Sequence, residues 1–210
     1  MPSLVIIDSE CANLSSIYRA TARAGLQPVI SGDPDQITGA GAVIFPGVGS
    51  YAHAAQLLVK KGLDKVIMEV VSRGVPFLGI CLGMQLLCSE SEEAADKTIK
   101  GLDLIPGRVR RFPRGLPVPH VGWNQVVPLV EHPLFEGLPA GSYFYFTHSY
   151  YVDPCQSELT LSQTDYGFSF TSAIFKNNVL GVQFHPEKSG PAGLHLLGNF
   201  GKIIAEQRQK

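Results

Sequence analysis

Cys81 lies between two glycines in Gly79-Ile80-Cys81-Leu82-Gly83, after an apolar run and before a helical pattern from Met84 to Cys88. A nucleophile elbow carries its reactive side chain on such a turn between strand and helix, with small flanking residues because larger ones would crowd the turn. Backbone N–H groups at the helix start favour a thiolate, and the amide of Leu82 can donate to an oxyanion. The pattern predicts a cysteine nucleophile, whereas the alternative for a free cysteine is a small buried hydrophobic residue.

His185 and Glu187 form the second candidate pair, in the segment Val182-Gln183-Phe184-His185-Pro186-Glu187. A carboxylate two residues beyond a histidine can orient the imidazole ring if the intervening proline stiffens the backbone. The pair therefore resembles a general base with its orienting acid, and cysteine catalysis requires such a base. A structural role is the simpler interpretation for the other histidines, which are His53, His120, His132, His148 and His195.

The segment Phe45-Pro46-Gly47-Val48-Gly49 is the third candidate element. A proline and two glycines form a tight turn without any further function. Beside an elbow, the same backbone can supply a second oxyanion amide, as a strand-to-helix loop does in α/β hydrolases. The segment alone leaves both interpretations open.

These groups can act together only if the strands before them end at one edge of a sheet. The first half of the chain alternates strand-like and helix-like patterns, which favours a mostly parallel sheet with helices on both faces. We expect strands at Leu4 to Ile7, Val29-Ile30, Ala42 to Phe45 and Val75 to Ile80, the second and third of them buried. We expect helices from about Leu14 to Ala24 and from Gln56 to Ser72, the latter interrupted at Gly62.

The second half is richer in proline and in short apolar runs, which predicts antiparallel strands added to the sheet. These runs are Tyr143 to Phe146, Thr171 to Phe175 and Val179 to Phe184, with a hairpin turn at Lys176-Asn177-Asn178 and a final helix from about Ala192 to Gln207. The chain has neither an internal repeat nor a linker. Residues 1–210 are therefore predicted to form one α/β domain.

The composition narrows the class of protein further. A hydrophobic fraction of 45% and a charged fraction of 17% are typical of a soluble globular chain. A net charge of -1 offers no surface for nucleic acid. Four arginines form a local basic stretch, interpreted as a solvated strand edge or loop, with a phosphate or partner contact as the alternative; they are Arg108, Arg110, Arg111 and Arg114.

The start of the chain lacks the features of a signal peptide, and no apolar stretch is long enough for a membrane span, so we expect a cytoplasmic protein. In that reducing compartment the cysteines should be free thiols; they are Cys11, Cys81, Cys88 and Cys155. Because CxxC pairs, a GxGxxG motif and a Walker-type phosphate loop are all missing, we expect neither a metal nor a cofactor.

Three strings in order, PGVG, GICLGMQLL and FHPEKS, resemble the motifs of the class I (triad) glutamine amidotransferases over nearly the full length of the chain. Two further strings, PHVGWN from Pro119 and YFTHSY from Tyr145, are similar to those of the glutaminase subunits of imidazole glycerol phosphate synthases. The resemblance implies a flavodoxin-like three-layer fold. It also implies hydrolysis of glutamine to glutamate and ammonia through a cysteine thioester.

The resemblance further implies a role for each matching residue. Cys81 would be the nucleophile, His185 the proton carrier and Glu187 its orienting carboxylate. Gly47, Val48 and Leu82 would form the oxyanion site. Residues around the bound glutamine would be Gln85, Glu93, His148, Ser149 and Tyr150. Many relatives carry a glycine-rich segment where this chain has Ser9 to Asn13.

The chain has no recognisable site for an ammonia acceptor, so the resemblance implies a second subunit, a (β/α)₈-barrel cyclase, in a heterodimer. Interface candidates are Trp123, Asn124, Tyr145 and Lys188, although Trp123 could equally pack in the core. Two alternatives stay open: the glutaminase of anthranilate, aminodeoxychorismate or guanylate synthesis, and a noncatalytic protein that binds a partner through this surface.

Overall fold

The computed structural model describes residues 4–207. Its strands are β1 (Leu4–Ile7), β2 (Pro28–Ser31), β3 (Ala42–Gly47), β4 (Phe77–Cys81), β5 (Glu90–Ser91), β6 (Gly107–Arg111), β7 (His120–Pro128), β8 (Ser142–His148), β9 (Tyr150–Pro154), β10 (Thr160–Asp165), β11 (Ser169–Lys176) and β12 (Val179–Val182). Its α-helices are α1 (Leu14–Arg23), α2 (Pro34–Thr38), α3 (Tyr51–Lys61), α4 (Leu63–Ser72), α5 (Leu82–Gln85) and α6 (Gly190–Gln207).

The main sheet has the strand order β2-β1-β3-β4-β12-β11-β10-β7-β8. The pairs from β2 to β12 are parallel, and those from β12 to β8 are antiparallel. This confirms the predicted parallel sheet with added antiparallel strands. A separate sheet, β5-β6-β9, had not been predicted. It contains most of the basic stretch, and there Arg110 donates to Asp153 at 3.1 Å.

The sheet separates two hydrophobic cores, because successive side chains of a strand point to opposite faces. In β1, Val5 and Ile7 pack with helices α2, α3 and α4, whereas Leu4 and Ile6 pack with α1 and α6. The α/β fold therefore has three layers. None of the helices between residues 4 and 207 is long and apolar enough to cross a membrane.

Local sequence signals account for several boundaries. The Asn13 side chain accepts the Ser16 N–H at 3.3 Å and caps α1. Gly62 has a φ of 69° and separates α3 from α4, where a left-handed residue suits glycine. Asn177 has a φ of 56° within the two-residue turn between β11 and β12, which confirms the predicted hairpin.

Two expectations about individual elements were wrong. Val29 and Ile30 are in a strand but are 43% and 38% exposed, because β2 is the edge of the sheet and has a neighbouring strand on one side only. The helix after Cys81 does not run from Met84 to Cys88; it starts at Leu82 and ends at Gln85 after a single turn. A one-turn helix has only a small dipole, so it contributes less to the stability of a thiolate than expected.

Candidate active site

Cys81 occupies a strained turn between β4 and α5. Its φ of 53° and ψ of -109° are unusual for a residue with a β-carbon, and such strain is typical of functional sites. The neighbouring glycines are required by space: a β-carbon on Gly83 would overlap the Phe45 carbonyl oxygen, and one on Gly79 would lie 2.9 Å from the carbonyl of Gly83. The predicted tight turn is therefore present, with the thiol at the carboxyl end of a parallel strand.

His185 leaves the sheet beside Cys81, because β12 pairs in parallel with β4 and Val182 is opposite Ile80. His185 Nδ1 and Glu187 Oε1 are 2.8 Å apart, and both side chains are buried. Since a carboxylate accepts, Nδ1 carries the proton and Nε2 is directed elsewhere. Among the described residues, His185 Nε2 and Glu187 Oε2 are buried without a hydrogen-bond partner.

The electrostatic surroundings of His185 favour its charged form. Burial by itself opposes the imidazolium, but the adjacent Cys81 sulfur and the Glu187 carboxylate together outweigh burial and raise the pKa of His185 to about 10. The histidine can therefore hold a proton at neutral pH next to the sulfur. This is the charge state that an acid needs in order to protonate a leaving amine.

The PGVG segment touches the elbow directly. Gly47 pairs with Cys81 in the sheet, and a β-carbon on Gly47 would lie 2.9 Å from Gly83 N. The next amide, Val48 N–H, donates to the Cys11 carbonyl oxygen at 2.6 Å. In this conformation the Val48 amide is bonded to the loop after β1 and is turned away from any oxyanion near Cys81.

A cavity of about 300 Å³ opens over the Cys81 side chain. It is lined by Val48, Gly49, Cys81, Leu82, Gln85, Glu93, Pro119, Thr147, His148, Ser149 and Tyr150. The cavity therefore brings together all five residues that had been predicted to surround a glutamine. One carboxylate oxygen of Glu93 accepts the Tyr51 N–H at 2.9 Å, at the start of α3.

His148 forms part of the cavity wall, but both of its ring nitrogens are hydrogen-bonded within the protein. Its Nδ1 lies 2.7 Å from the Tyr150 carbonyl oxygen and must donate to it, so its Nε2 accepts from His120 Nδ1 at 3.0 Å. The Asn124 side-chain nitrogen lies 3.3 Å from His120 Nε2, so the hydrogen bonds run from Asn124 through His120 and His148 to Tyr150. Burial lowers the pKa of His120 to about 4 and that of His148 to about 3, so both rings are neutral.

Comparisons with known proteins agree with this geometry. Residues 5–204 match the family model "Glutamine amidotransferase class-I". The chain belongs to this family. Imidazole glycerol phosphate synthase subunit HisH of Moorella thermoacetica is 49% identical over 204 residues, covering 97% of this chain and 96% of the relative. The same subunit of Methanosarcina mazei is 48% identical, with 95% and 98% covered.

Solved structures with low identity share the fold of this amidotransferase. A glutamine amidotransferase structure aligns with a TM-score of 0.74 at 19% identity, covering 94% of this chain and 98% of the other. The structure of PurLQS from Thermotoga maritima aligns with a TM-score of 0.73 at 17% identity, covering 100% and 99%. These matches confirm the expected class I amidotransferase fold.

The predicted interface residues of the amidotransferase divide between the two faces of the β7–β8 ribbon. Trp123 is 55% exposed, its ring centroid lies 6.2 Å from that of Tyr145, and Lys188 Nζ lies 5.6 Å from the Tyr145 ring. Trp123 thus does not pack in the core. Asn124 has its side chain on the opposite face, where it also donates to the Asp165 carbonyl oxygen at 2.8 Å.

The prediction from sequence missed three polar residues at the site. Ser189 donates to the His185 carbonyl oxygen at 2.6 Å and accepts the Tyr145 N–H at 3.0 Å, which joins the FHPEKS segment to β8. Gln183 donates to the Cys81 sulfur at 3.6 Å. His120 pairs with His148. Ser189 lies within the FHPEKS motif and Gln183 directly precedes it. No local sequence pattern indicates that His120 lies near the site.

Proposed function

We propose that this amidotransferase is the glutaminase subunit of an imidazole glycerol phosphate synthase. It hydrolyses glutamine to glutamate and ammonia, and it passes the ammonia to a cyclase subunit that forms imidazole glycerol phosphate and aminoimidazole carboxamide ribotide in histidine biosynthesis. The observation that carries the proposal is that the strained Cys81 turn, which lines the cavity, and the His185–Glu187 pair follow neighbouring parallel strands, β4 and β12. The named relatives support the choice of synthase.

In the proposed mechanism, the Cys81 thiolate attacks the side-chain amide carbon of glutamine. A C–S bond forms, the carbonyl π electrons move to oxygen, and the oxyanion accepts from the Leu82 amide. The imidazolium of His185 then protonates the amide nitrogen as the C–N bond breaks, so ammonia leaves and a thioester remains. Glu187 stabilises the imidazolium and keeps Nδ1 protonated, so that Nε2 exchanges the proton.

The second half of the reaction reverses these roles. Neutral His185 takes a proton from water, the resulting nucleophile attacks the thioester carbonyl, and the C–S bond breaks to give glutamate and the thiolate. One carboxylate oxygen of Glu93 accepts the Tyr51 N–H, and we assign the other to the substrate ammonium group. Ser149, Tyr150 and Gln85 hold the remaining polar groups of glutamine, while His148 shapes the wall.

The partner is proposed to be a (β/α)₈-barrel cyclase in a cytoplasmic heterodimer. The outer face of the β7–β8 ribbon exposes Val121, Trp123 and Tyr143 by more than half of their area, which suits a protein interface rich in aromatic groups. The ribbon also reaches the site, since the Tyr145 carbonyl accepts the His185 N–H at 2.8 Å. Ammonia in neutral water is mostly ammonium, so direct passage across this face keeps it nucleophilic.

Glutamine hydrolysis measured for the chain alone and with a candidate cyclase tests this proposal. The expected result is a slow lone chain that is stimulated by the cyclase together with its nucleotide ligand, with ammonia incorporated into the cyclase products. Cyclases or synthases of anthranilate, aminodeoxychorismate and guanylate pathways serve as controls for the acceptor. Stimulation by one of these and not by the imidazole-forming cyclase would assign the chain to a different synthase.

A further inference from the structure

Gln183 is a fully buried amide that touches the candidate nucleophile from outside the triad. Its backbone N–H is fixed to the Ser172 carbonyl oxygen at 2.8 Å, one residue beyond the end of β12. Its side-chain Nε2 lies 3.6 Å from Cys81 Sγ, within the range of a hydrogen bond to sulfur. A side chain that is 0% exposed and lies against the reacting atom is placed to influence the charge and direction of that atom.

The orientation of the Gln183 amide follows from one backbone carbonyl. The oxygen of Tyr150 can only accept, so the Gln85 amide presents its NH₂ group to it at 3.0 Å. The same Gln85 nitrogen donates to Gln183 Oε1 at 3.1 Å. Since its oxygen is thus occupied on the side of Gln85, Gln183 must direct its own NH₂ group toward Cys81.

A flipped arrangement of the Gln85 amide is excluded by the same carbonyl oxygen, which can only accept. His148 Nδ1 also approaches the Tyr150 oxygen, at 2.7 Å, so both lone pairs of this oxygen receive donors. Turning Gln85 around would place two oxygens together and leave Gln183 Oε1 without its donor in a buried place, which is strongly unfavourable. The fold therefore fixes which group donates and which accepts in each hydrogen bond between Tyr150 and Cys81.

We propose that Gln183 is a positioning residue for Cys81, whose amide N–H holds the sulfur as a thiolate and directs it into the cavity. A hydrogen bond to the charged form of a group favours that form. An uncharged amide does this without competing for the proton of His185, whose Nε2 stays available for the leaving amine. The proposal rests on the proposed function in naming the reaction, while the contact with Cys81 is independent of it.

Between residues 4 and 207, ionisable groups lie near the sulfur on several elements. His185 follows β12 and is paired with Glu187, while Glu93, His148 and Tyr150 line the cavity with Cys81. Because burial keeps His148 neutral, it does not change charge near the sulfur across the neutral range. A change in the pH dependence of Cys81 reactivity on altering Gln183 therefore reports the amide contact.

The test is the pH dependence of Cys81 alkylation by iodoacetamide in the chain with Gln183→Met, followed by peptide mass spectrometry. Methionine keeps the length of the side chain and removes the amide. The expected result is a rise of about one to two pH units in the midpoint of the alkylation rate, the size of a lost hydrogen bond to a charged group. In the complex with the cyclase, kcat for glutamine should fall about tenfold or more, while KM stays near the parent value.

Ser172→Ala is the matched control, because it removes a buried hydrogen bond to Ser162 of 2.9 Å without touching Cys81. It should leave the alkylation midpoint unchanged. If Gln183→Met does not fold, Gln183→Glu keeps the shape and places an acceptor against the sulfur, and the midpoint should again rise. A parent-like midpoint in either folded variant overturns the proposal.

The same measurements separate this inference from the proposed function. A parent complex that releases no ammonia from glutamine would refute the function, whereas the alkylation midpoint would still decide the role of Gln183. A parent complex that is active, together with a Gln183→Met complex of unchanged kcat, would refute the positioning role alone.

Discussion

Replacing Gly49 with alanine tests whether the PGVG loop rests in a conformation that is inactive for catalysis. Gly49 has a φ of 99°, and a β-carbon added there would meet no atom within 4 Å. The substitution therefore introduces backbone strain and no steric clash. Residues with a β-carbon rarely adopt this φ. The substitution should therefore destabilise the observed loop conformation by about 1–3 kcal/mol relative to other loop conformations.

The destabilised conformation is the one in which Val48 N–H donates to the Cys11 carbonyl oxygen at 2.6 Å. A missing oxyanion donor lowers a rate on the order of 10² to 10³. Loss of the hydrogen bond between Val48 N–H and Cys11 opposes the loop rearrangement by only about 0.5–1.5 kcal/mol, because an exposed amide forms hydrogen bonds with water instead. Each 1.4 kcal/mol of strain shifts the population about tenfold toward conformations that free the amide.

We therefore expect kcat for glutamine hydrolysis by the lone Gly49→Ala chain to rise about tenfold over the lone parent. The complex with cyclase and its ligand should keep a rate near that of the parent complex, since we expect partner and ligand to rearrange the loop in both. The stimulation by partner and ligand thus decreases because the basal rate is higher. The assay measures glutamate release under saturating glutamine for the lone chain, the complex and the complex with ligand.

Gly62→Ala is the matched control, because Gly62 also has a positive φ, of 69°, with no atom within 4 Å of a β-carbon. It lies between α3 and α4, so it should reduce stability without changing stimulation. A lone Gly49→Ala chain that hydrolyses glutamine at or below the parent rate refutes the resting-loop argument. A lone parent chain that already runs at the full rate refutes the idea that the Val48 amide must turn toward Cys81 to complete the oxyanion site.

Cys81→Ala is expected to abolish glutamine use while the assembled synthase still consumes added ammonia, and near-parent turnover of glutamine would contradict this. His185→Asn should reduce kcat far more than Glu187→Gln, because it removes the proton carrier itself, and parent-like rates for His185→Asn would rule out its role. The raised His185 pKa, about 10, keeps the imidazolium at neutral pH and loses it as pH rises, so kcat/KM should decline near that pH. Glu187→Gln removes one cause of the raised pKa and should move the decline to lower pH; an unchanged profile would count against it. Brief iodoacetamide treatment should label Cys81 well before Cys88, since burial raises the pKa of the Cys88 thiol to about 12; peptide mapping checks the order, and exposed Cys155 serves as the reference.

The sequence predicted the parts of the site that depend on short segments. Glycines around Cys81 indicated a turn that only small neighbours allow, and the structure has that turn. The spacing of His185 and Glu187 indicated an oriented ring, and their contact is 2.8 Å. Alternating strand and helix patterns indicated the parallel sheet because each period reflects which faces are buried.

Burial of an edge strand was beyond the reach of local patterns. Val29 and Ile30 look like residues of a central strand, and only the strand order shows that β2 lies at the edge of the sheet with one neighbouring strand. The length of α5 was likewise decided by tertiary packing. After Gln85 the chain turns so that the backbone of Leu86 and Leu87 bonds with residues 102 to 105.

What the sequence by itself determined is the identity of the reactive groups and the turns that present them, because both depend on side-chain type and on neighbours within a few residues. Only the tertiary structure decided which distant groups meet: the Val48 amide with Cys11, His120 with His148, and Gln183 with Cys81. These partners are separated by 28 to 102 residues, and no local periodicity encodes a pairing across such distances. Hydrogen-bond direction within the buried network is fixed by the Tyr150 carbonyl, whose position depends on how the sheet is assembled.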